Sequence, residues 1–207
     1  MASGRIIRYA VHPAVAHGQA IIAGLAGNTG HTLPQWLKRV AAQKLTERRA
    51  IMAWLKQAHG LGMSSAMLIA EAATGEADSL SAEGYLRAAP GYVEALFAGP
   101  KAALRPLYEA LAGLALQLGP EVKLSPTKTM VPLYRAHVFA QLKPATRTRL
   151  DLGLALGGLK ASGRLIDTGG FAKKDRITHR IAIGSAADID AETQEWLKRA
   201  YQLDGSK

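Results

Sequence analysis

Cationic side chains crowd one stretch of this sequence. Residues 123–180 contain 12 lysines and arginines but only three aspartates, a balance of +9, against +10 for the whole chain. A surface this charged attracts polyanions, because phosphate contacts supply most of the non-specific affinity for nucleic acid. We therefore predict that folding gathers these side chains into one continuous surface that binds nucleic acid or another polyanion. The predicted binding residues are Lys128, Arg135, Lys143, Arg147, Arg149, Arg164, His179 and Arg180.

A second hypothesis uses some of the same region for catalysis. Lys128, Asp151 and His179 would serve an enzyme that acts on a phosphorylated or acidic small molecule, provided that they meet in a pocket. Ser125 with Lys128 is the kind of pair that forms a nucleophile and its base, but the sequence offers no orienting third group. We favour a module without enzymatic activity and assign no catalytic residue.

The sequence gives weaker indications of a metal site or a cofactor site. The chain has no cysteine, which excludes thiolate metal sites, and its six histidines include no pair at i, i+4 spacing. Glu121 and Asp151 are candidate carboxylates for a metal-dependent nuclease, but Asp151 shares its predicted strand face with Arg147 and Arg149, which favours an ion pair. The glycines match no phosphate-binding loop. We predict neither a metal nor a cofactor.

Most of these cations fall in or beside segments that are predicted to be strands. In residues 147–156, Thr148 and the even-numbered leucines face one way, and Arg147, Arg149 and Asp151 face the other. This alternation predicts an antiparallel sheet with one buried face and one cationic face in solvent. Short alternating or β-branched segments between Pro and Gly turns predict about five strands, over residues 121–124, 129–135, 137–143, 147–156 and 177–183.

Helices are predicted on both sides of these strands. Thr32 is a candidate N-cap, and apolar residues at helical spacing predict further helices over residues 46–59 and 64–73. A helix that ends at Gly119–Pro120 and another over residues 188–203 flank the sheet. We therefore predict an α+β protein in which an antiparallel sheet packs against helices. Its predicted parts are a small helical N-terminal domain in residues 1–75, a linker with short helices broken near Pro90–Gly91 in residues 76–94, and a basic α+β domain in residues 95–207.

The N-terminal segment is not predicted to be a secretion signal. It is apolar, but His12, Pro13 and His17 interrupt it, so that Ala20–Ala26 is its longest unbroken apolar run. A signal peptide core needs roughly 7–15 such residues and a membrane span about 18 or more. We predict a packed helix in a cytoplasmic protein that does not bind membranes.

Several short motifs occur together along the chain: Thr29–Leu33, Ile51–Lys56, His59–Gly62, Ser125–Thr129, Arg149–Leu154, Gly163–Leu165 and Thr178–Arg180. In this combination they resemble a bacterial family of uncharacterised proteins with two domains of unknown function, over residues 14–75 and 95–203. The resemblance implies a two-domain cytoplasmic protein and no established activity. Because related C-terminal domains accompany nuclease-like modules, it also implies a nucleic-acid context.

The predicted N-terminal helices suggest a third hypothesis, a protein–protein adaptor. An exposed apolar patch within residues 33–73 would favour it. Residues 47–73 also have the outline of a helix–turn–helix unit. Its second helix begins with Met63, Ser64, Ser65 and Ala66 and lacks the Arg, Lys, Asn or Gln near its start that a recognition helix uses to read base edges. We therefore predict helix packing, with a protein partner as the alternative role of this domain.

Overall fold

The computed structural model describes residues 7–75 and 80–205. Two compact units emerge within these residues. One lies within residues 11–88 and consists of helices, and the other contains residues 89–205 together with residues 7–10. The second unit holds the strands and the two helices that flank them.

The helical unit contains four complete helices, and Thr32 begins the second as predicted. The Gln35 side chain accepts the Thr32 backbone N–H at 2.8 Å, which is half of a capping box. Gly60 ends the third helix with φ of 65°, in the left-handed region that glycine adopts readily. No helix in the described ranges is long and apolar enough to cross a membrane. The helices are α1 (Pro13–Thr29), α2 (Leu33–Ala42), α3 (Arg48–His59) and α4 (Met63–Ala73).

A fifth helix, α5 (Ala82–Leu96), continues through the position where a break was predicted. Pro90 lies inside it, although an internal proline removes one hydrogen bond and costs roughly 3 kcal/mol. Tyr85, Ala89 and Val93 are buried at helical spacing, and the burial of this stripe outweighs that cost. Residues 76–79 of the predicted linker lie outside the described residues.

The second unit contains a six-stranded antiparallel sheet in the order β1-β2-β3-β4-β6-β5, together with α6 (Arg105–Leu116) and α7 (Ala191–Asp204). The α+β class and the antiparallel sheet are therefore confirmed. The sequence missed β5, because its two residues are both exposed and no alternation marks them. The strands are β1 (Lys123–Leu124), β2 (Val131–Tyr134), β3 (Val138–Pro144), β4 (Leu150–Leu154), β5 (Ile166–Asp167) and β6 (His179–Ile183).

The sheet has one fully buried face. Leu142, Leu152 and Ile181 lie side by side across β3, β4 and β6, and they share a core with residues of α6 and α7. A neighbouring residue of each strand points to the opposite face, where Lys143, Asp151 and Ala182 are paired in the same way. We call this the outer face.

The turn between β3 and β4 corrects a predicted strand boundary. Residues 147–156 were predicted to be extended, but β4 begins at Leu150. The Ala145 N–H donates to the Arg149 carbonyl at 3.0 Å, and the Thr148 N–H donates to the Thr146 hydroxyl at 3.3 Å. This local side-chain hydrogen bond favours a turn over a continued strand ladder.

Candidate anion-binding surface

Two arginines share one carboxylate on the outer face. Arg149 Nε lies 2.9 Å from Asp151 Oδ1 as an ion pair without a hydrogen bond, and Arg180 Nη1 lies 3.5 Å from the same oxygen. Strand pairing positions them, since Asp151 is in β4 and Arg180 is in the adjacent β6. The Asp151 side chain is 16% exposed, whereas those of Arg149 and Arg180 are 40% and 28% exposed. The carboxylate therefore anchors two guanidinium groups that still reach solvent.

Two further cations border this pair. Lys143 is the cross-strand partner of Asp151, and Arg147 lies in the β3–β4 turn two residues before Arg149. Both side chains are exposed, and no carboxylate of the described residues pairs with either. We name Lys143, Arg147, Arg149 and Arg180, together with Asp151, the outer cation surface.

Gly153 determines what lies beside Arg180 on this face. A Cβ at Gly153 would lie 2.7 Å from Gln141 Cγ and 2.9 Å from Ile177 Cγ2. Any larger residue would displace both neighbours, so glycine allows Gln141 and Ile177 to approach the strand backbone. The outer cation surface is thus bordered by a packed amide and an aliphatic side chain.

Arg135, predicted to belong to the same surface, has partners elsewhere. It follows β2, and its Nε donates to Glu121 Oε1 at 2.8 Å while its guanidinium lies 4.2 Å from the Tyr201 ring centroid. The Tyr201 hydroxyl donates to the same carboxylate oxygen at 2.6 Å. This hydrogen bond, assisted by Arg135, lowers the pKa of Glu121. Arg135 therefore connects the end of β2 to α7.

Arg164 also pairs with acidic residues near the start of α7. Its Nη2 donates to Asp190 Oδ1 at 2.6 Å and to Thr193 Oγ1 at 2.9 Å, and its backbone N–H donates to Glu192 Oε1 at 3.0 Å. Asp188 lies 3.4 Å from Nη1. Backbone N–H groups lower the pKa values of Asp188 and Asp190, and the charge of Arg164 lowers them further. Arg164 thus fastens the chain before β5 to the N-terminus of α7.

His179 is buried on the inner face of the sheet rather than exposed as a binding residue. Its Nε2 lies 2.9 Å from the Leu159 carbonyl, and its Nδ1 lies 2.8 Å from the Thr178 hydroxyl. Since a carbonyl only accepts, the hydrogen bonds assign the proton to Nε2, and the Thr178 hydroxyl donates to Nδ1. The same hydroxyl accepts the Leu156 N–H at 3.2 Å. His179 therefore organises the loop after β4.

The structure does not assemble the hypothesised catalytic trio. Lys128 is exposed in the turn between β1 and β2, at the end of the sheet where Leu142 and Lys143 lie. Asp151 is on the outer face and His179 is on the inner face. Throughout the described ranges, no group of three or more His, Asp or Glu side chains is arranged to hold a metal ion.

The buried Asp204 pairs with the half-buried Arg176, and sequence reasoning singled out neither residue. Asp204 contacts the Arg176 guanidinium and accepts the backbone N–H groups of Ala136 and His137 at 2.9 and 2.8 Å. An acid at the C-terminus of a helix opposes the helix dipole. That unfavourable position in α7 is the signal that could have indicated a tertiary role for Asp204.

Comparison with known proteins places these features in a family. Residues 93–204 match the family described as a domain of unknown function, DUF5655. The chain belongs to this family. Residues 18–75 match a second domain of unknown function, DUF4287, so the resemblance to a two-domain protein of unknown function is confirmed. No curated protein and no solved structure matches the chain. The DUF5655 match contains the whole outer cation surface.

Proposed function

We propose that this protein is a non-enzymatic module that binds nucleic acid through the outer cation surface of its DUF5655 domain. The observation that carries the proposal is the shared anchoring of Arg149 and Arg180 by Asp151, which leaves both guanidinium groups partly exposed. The proposal includes a cytoplasmic location, where nucleic acid is available.

The chemistry of arginine supports this role. A guanidinium has five N–H donors. Arg180 donates one of them to Asp151, and Arg149 forms an ion pair with Asp151 without a hydrogen bond, so both retain donors for a phosphate oxygen. Anchoring also reduces the side-chain entropy that binding would otherwise cost. Arg149 and Arg180 are therefore oriented before a phosphate arrives, whereas Lys143 and Arg147 add charge that remains adjustable.

The balance of charge supports an anionic ligand. Four cations surround one carboxylate, which leaves a local net charge of +3 on the outer cation surface. If four phosphates are neutralised, log K for duplex DNA falls with log salt at a slope of about −3 to −4. The polyanion is thereby bound mainly through its backbone, with little dependence on base sequence.

The proposal is tested with a double charge reversal, Lys143→Glu with Arg147→Glu. Because neither side chain pairs with a carboxylate of the described residues, the substitutions change binding without removing a structural contact. We expect affinity for a fluorescent oligonucleotide, measured by anisotropy at low salt, to fall by about tenfold or more, with a shallower salt slope.

The matched control is Lys198→Glu with Arg199→Glu on α7. It replaces the same residue types, at exposed positions of the same unit, and changes the net charge equally. An equal loss of affinity in both double variants would show that binding depends on total charge alone and would reject the outer cation surface. Absence of binding by the unmodified protein at low salt would reject nucleic-acid binding altogether.

A protein partner for the helical unit has less support. Within residues 33–73, the exposed large hydrophobic side chains are Met63 and Met67, one turn apart on α4. Scattered exposed hydrophobic residues are ordinary on protein surfaces. The outer cation surface is therefore the better basis for an experiment.

A further inference from the structure

A hollow of about 670 Å³ opens beyond the end of β4, and neither the outer cation surface nor the core accounts for it. Its walls combine apolar and charged side chains from three segments of the α+β unit. These are residues 155–157 after β4, residues 171–176 before β6, and Leu203 with Asp204 at the end of α7. A hollow with apolar walls and a few polar groups is typical of a ligand site.

Phe171 presents an aromatic ring at this hollow. The side chain is 63% exposed, the largest exposure among the large hydrophobic residues described. A Cβ at Gly158 would lie 3.1 Å and 3.2 Å from two ring carbons of Phe171. The absence of a side chain at Gly158 therefore lets the ring lie against the backbone on one side, while much of the remaining ring surface faces solvent.

The loop that carries Phe171 is held by hydrogen bonds. The Asp175 and Lys173 N–H groups both donate to the Gly170 carbonyl, at 2.9 and 3.1 Å, and the Lys174 N–H donates to the Phe171 carbonyl at 3.1 Å. Next to this turn, Arg176 Nε donates to the Val138 carbonyl at 3.0 Å, and its guanidinium contacts the buried Asp204. The Phe171 ring therefore projects from a turn that backbone hydrogen bonds hold in place.

The charges around the ring fit a nucleotide. Arg176 and Asp204 neutralise each other in the wall, which leaves Lys174 and Asp175 as the exposed charged groups of the lining, with Lys173 next to them in the chain. A lysine ammonium suits a phosphate, a carboxylate accepts hydrogen bonds from base amino groups, and every base has a π-face that stacks on an aromatic ring.

We propose that this hollow binds an unpaired base of single-stranded nucleic acid, stacked on Phe171. This inference rests on the proposed function and gives its substrate class. Asp151 and Ala155 are four residues apart on one extended segment, which separates them by about 13 Å along the chain. One single-stranded nucleic acid can therefore contact both the outer cation surface and the hollow. A duplex, whose bases are already stacked and paired, gains nothing from the ring.

The test uses the full chain and a single-stranded oligonucleotide of about 12 nucleotides that contains 2-aminopurine, a base whose fluorescence falls on stacking. We expect binding to quench this fluorescence. Phe171→Ala should abolish the quenching and weaken single-strand binding about fivefold or more, with duplex binding unchanged. Phe171→Tyr should restore both signals, and Phe171→Leu, which is apolar but has no ring, should not.

The outcomes separate this inference from the proposed function. If the oligonucleotide binds without quenching, or if Phe171→Leu behaves like the unmodified protein, the base-stacking site is rejected while the outer cation surface stands. A loss of affinity in Phe171→Ala for duplex and single strand alike would also reject stacking. If neither nucleic acid binds at low salt, both proposals are rejected. Thermal melting identifies any unfolded variant, and Phe171→Tyr and Phe171→Leu then decide the question.

Discussion

Two regions of this chain have similar densities of positive charge but different ion pairing. Residues 31–60 of the helical unit contain six lysines and arginines and one acid, whereas residues 123–180 of the α+β unit contain 12 and three. In the first region, the described residues provide one carboxylate partner, Glu71, which lies 2.7 Å from Arg48. In the second region, five arginines pair with carboxylates: Arg135, Arg149, Arg164, Arg176 and Arg180.

The difference comes from topology. Residues 31–60 have one described carboxylate partner, Glu71 on α4, so most of the positive charge counted along this window has no carboxylate partner among the described residues. The sheet unit brings distant segments together, and Glu121, Asp188, Asp190 and Asp204 all lie outside the basic window that they partly neutralise. A charge count along the sequence therefore overestimates the basic surface of the sheet unit more than that of the helical unit.

The largest expected effect concerns Arg164, which pairs with acidic residues near the start of α7 and does not belong to the outer cation surface. We expect Arg164→Ala to destabilise the protein by about 2 kcal/mol, because three acidic residues at the start of α7 lose their common partner. The melting temperature should fall by about 4–8 °C. Oligonucleotide affinity, measured by anisotropy below the melting transition, should stay within about twofold of the unmodified protein.

Acid titration provides a control for this substitution. The pKa of Asp188 is lowered in the folded state, so its contribution to stability is present above about pH 4 and is lost as the pH falls through the lowered value. Because Arg164 contributes to that lowering, the difference in melting temperature between Arg164→Ala and the unmodified protein should shrink below pH 4. A stable Arg164→Ala that binds oligonucleotide poorly would reverse the assignment of Arg164.

Sequence reasoning was effective where the information was local. Alternation in β4 predicted the buried face of that strand correctly, and the Thr32 cap predicted the start of α2. It failed where a partner was remote: nothing near Arg164 in the sequence indicates that Asp190 will bind it. The assignment of His179 to the binding surface was wrong for another reason, because His179 alternates in phase with the buried Ile181 and Ile183. Of the predicted binding residues, Lys143, Arg149 and Arg180 lie around Asp151, and Arg147 lies in the adjoining β3–β4 turn.

A smaller effect, of opposite sign, tests whether Asp151 opposes the ligand that its arginines attract. Asp151→Asn raises the local charge by one unit while the amide oxygen can still accept the Arg180 hydrogen bond, so we expect oligonucleotide affinity at low salt to increase about threefold to fivefold. The gain should vanish in high salt, where screening removes the effect of the added charge. If Asp151 only maintains the positions of its arginines, Asp151→Asn will instead weaken binding, and anisotropy titrations at two salt concentrations distinguish the two results.

The smallest expected effect concerns the helical unit and tests whether its positive charge contributes to nucleic-acid binding. Lys38→Glu with Lys56→Glu reverses two exposed lysines of α2 and α3, and no carboxylate of the described residues pairs with either. These lysines lie on separate helices without an anchored arginine beside them, so they attract phosphate only through the general field of the protein. We expect a loss of affinity no greater than that of Lys198→Glu with Arg199→Glu, about threefold or less. A loss as large as that of Lys143→Glu with Arg147→Glu would mean that unpaired charge determines binding, and the helical unit would then share the nucleic-acid interface.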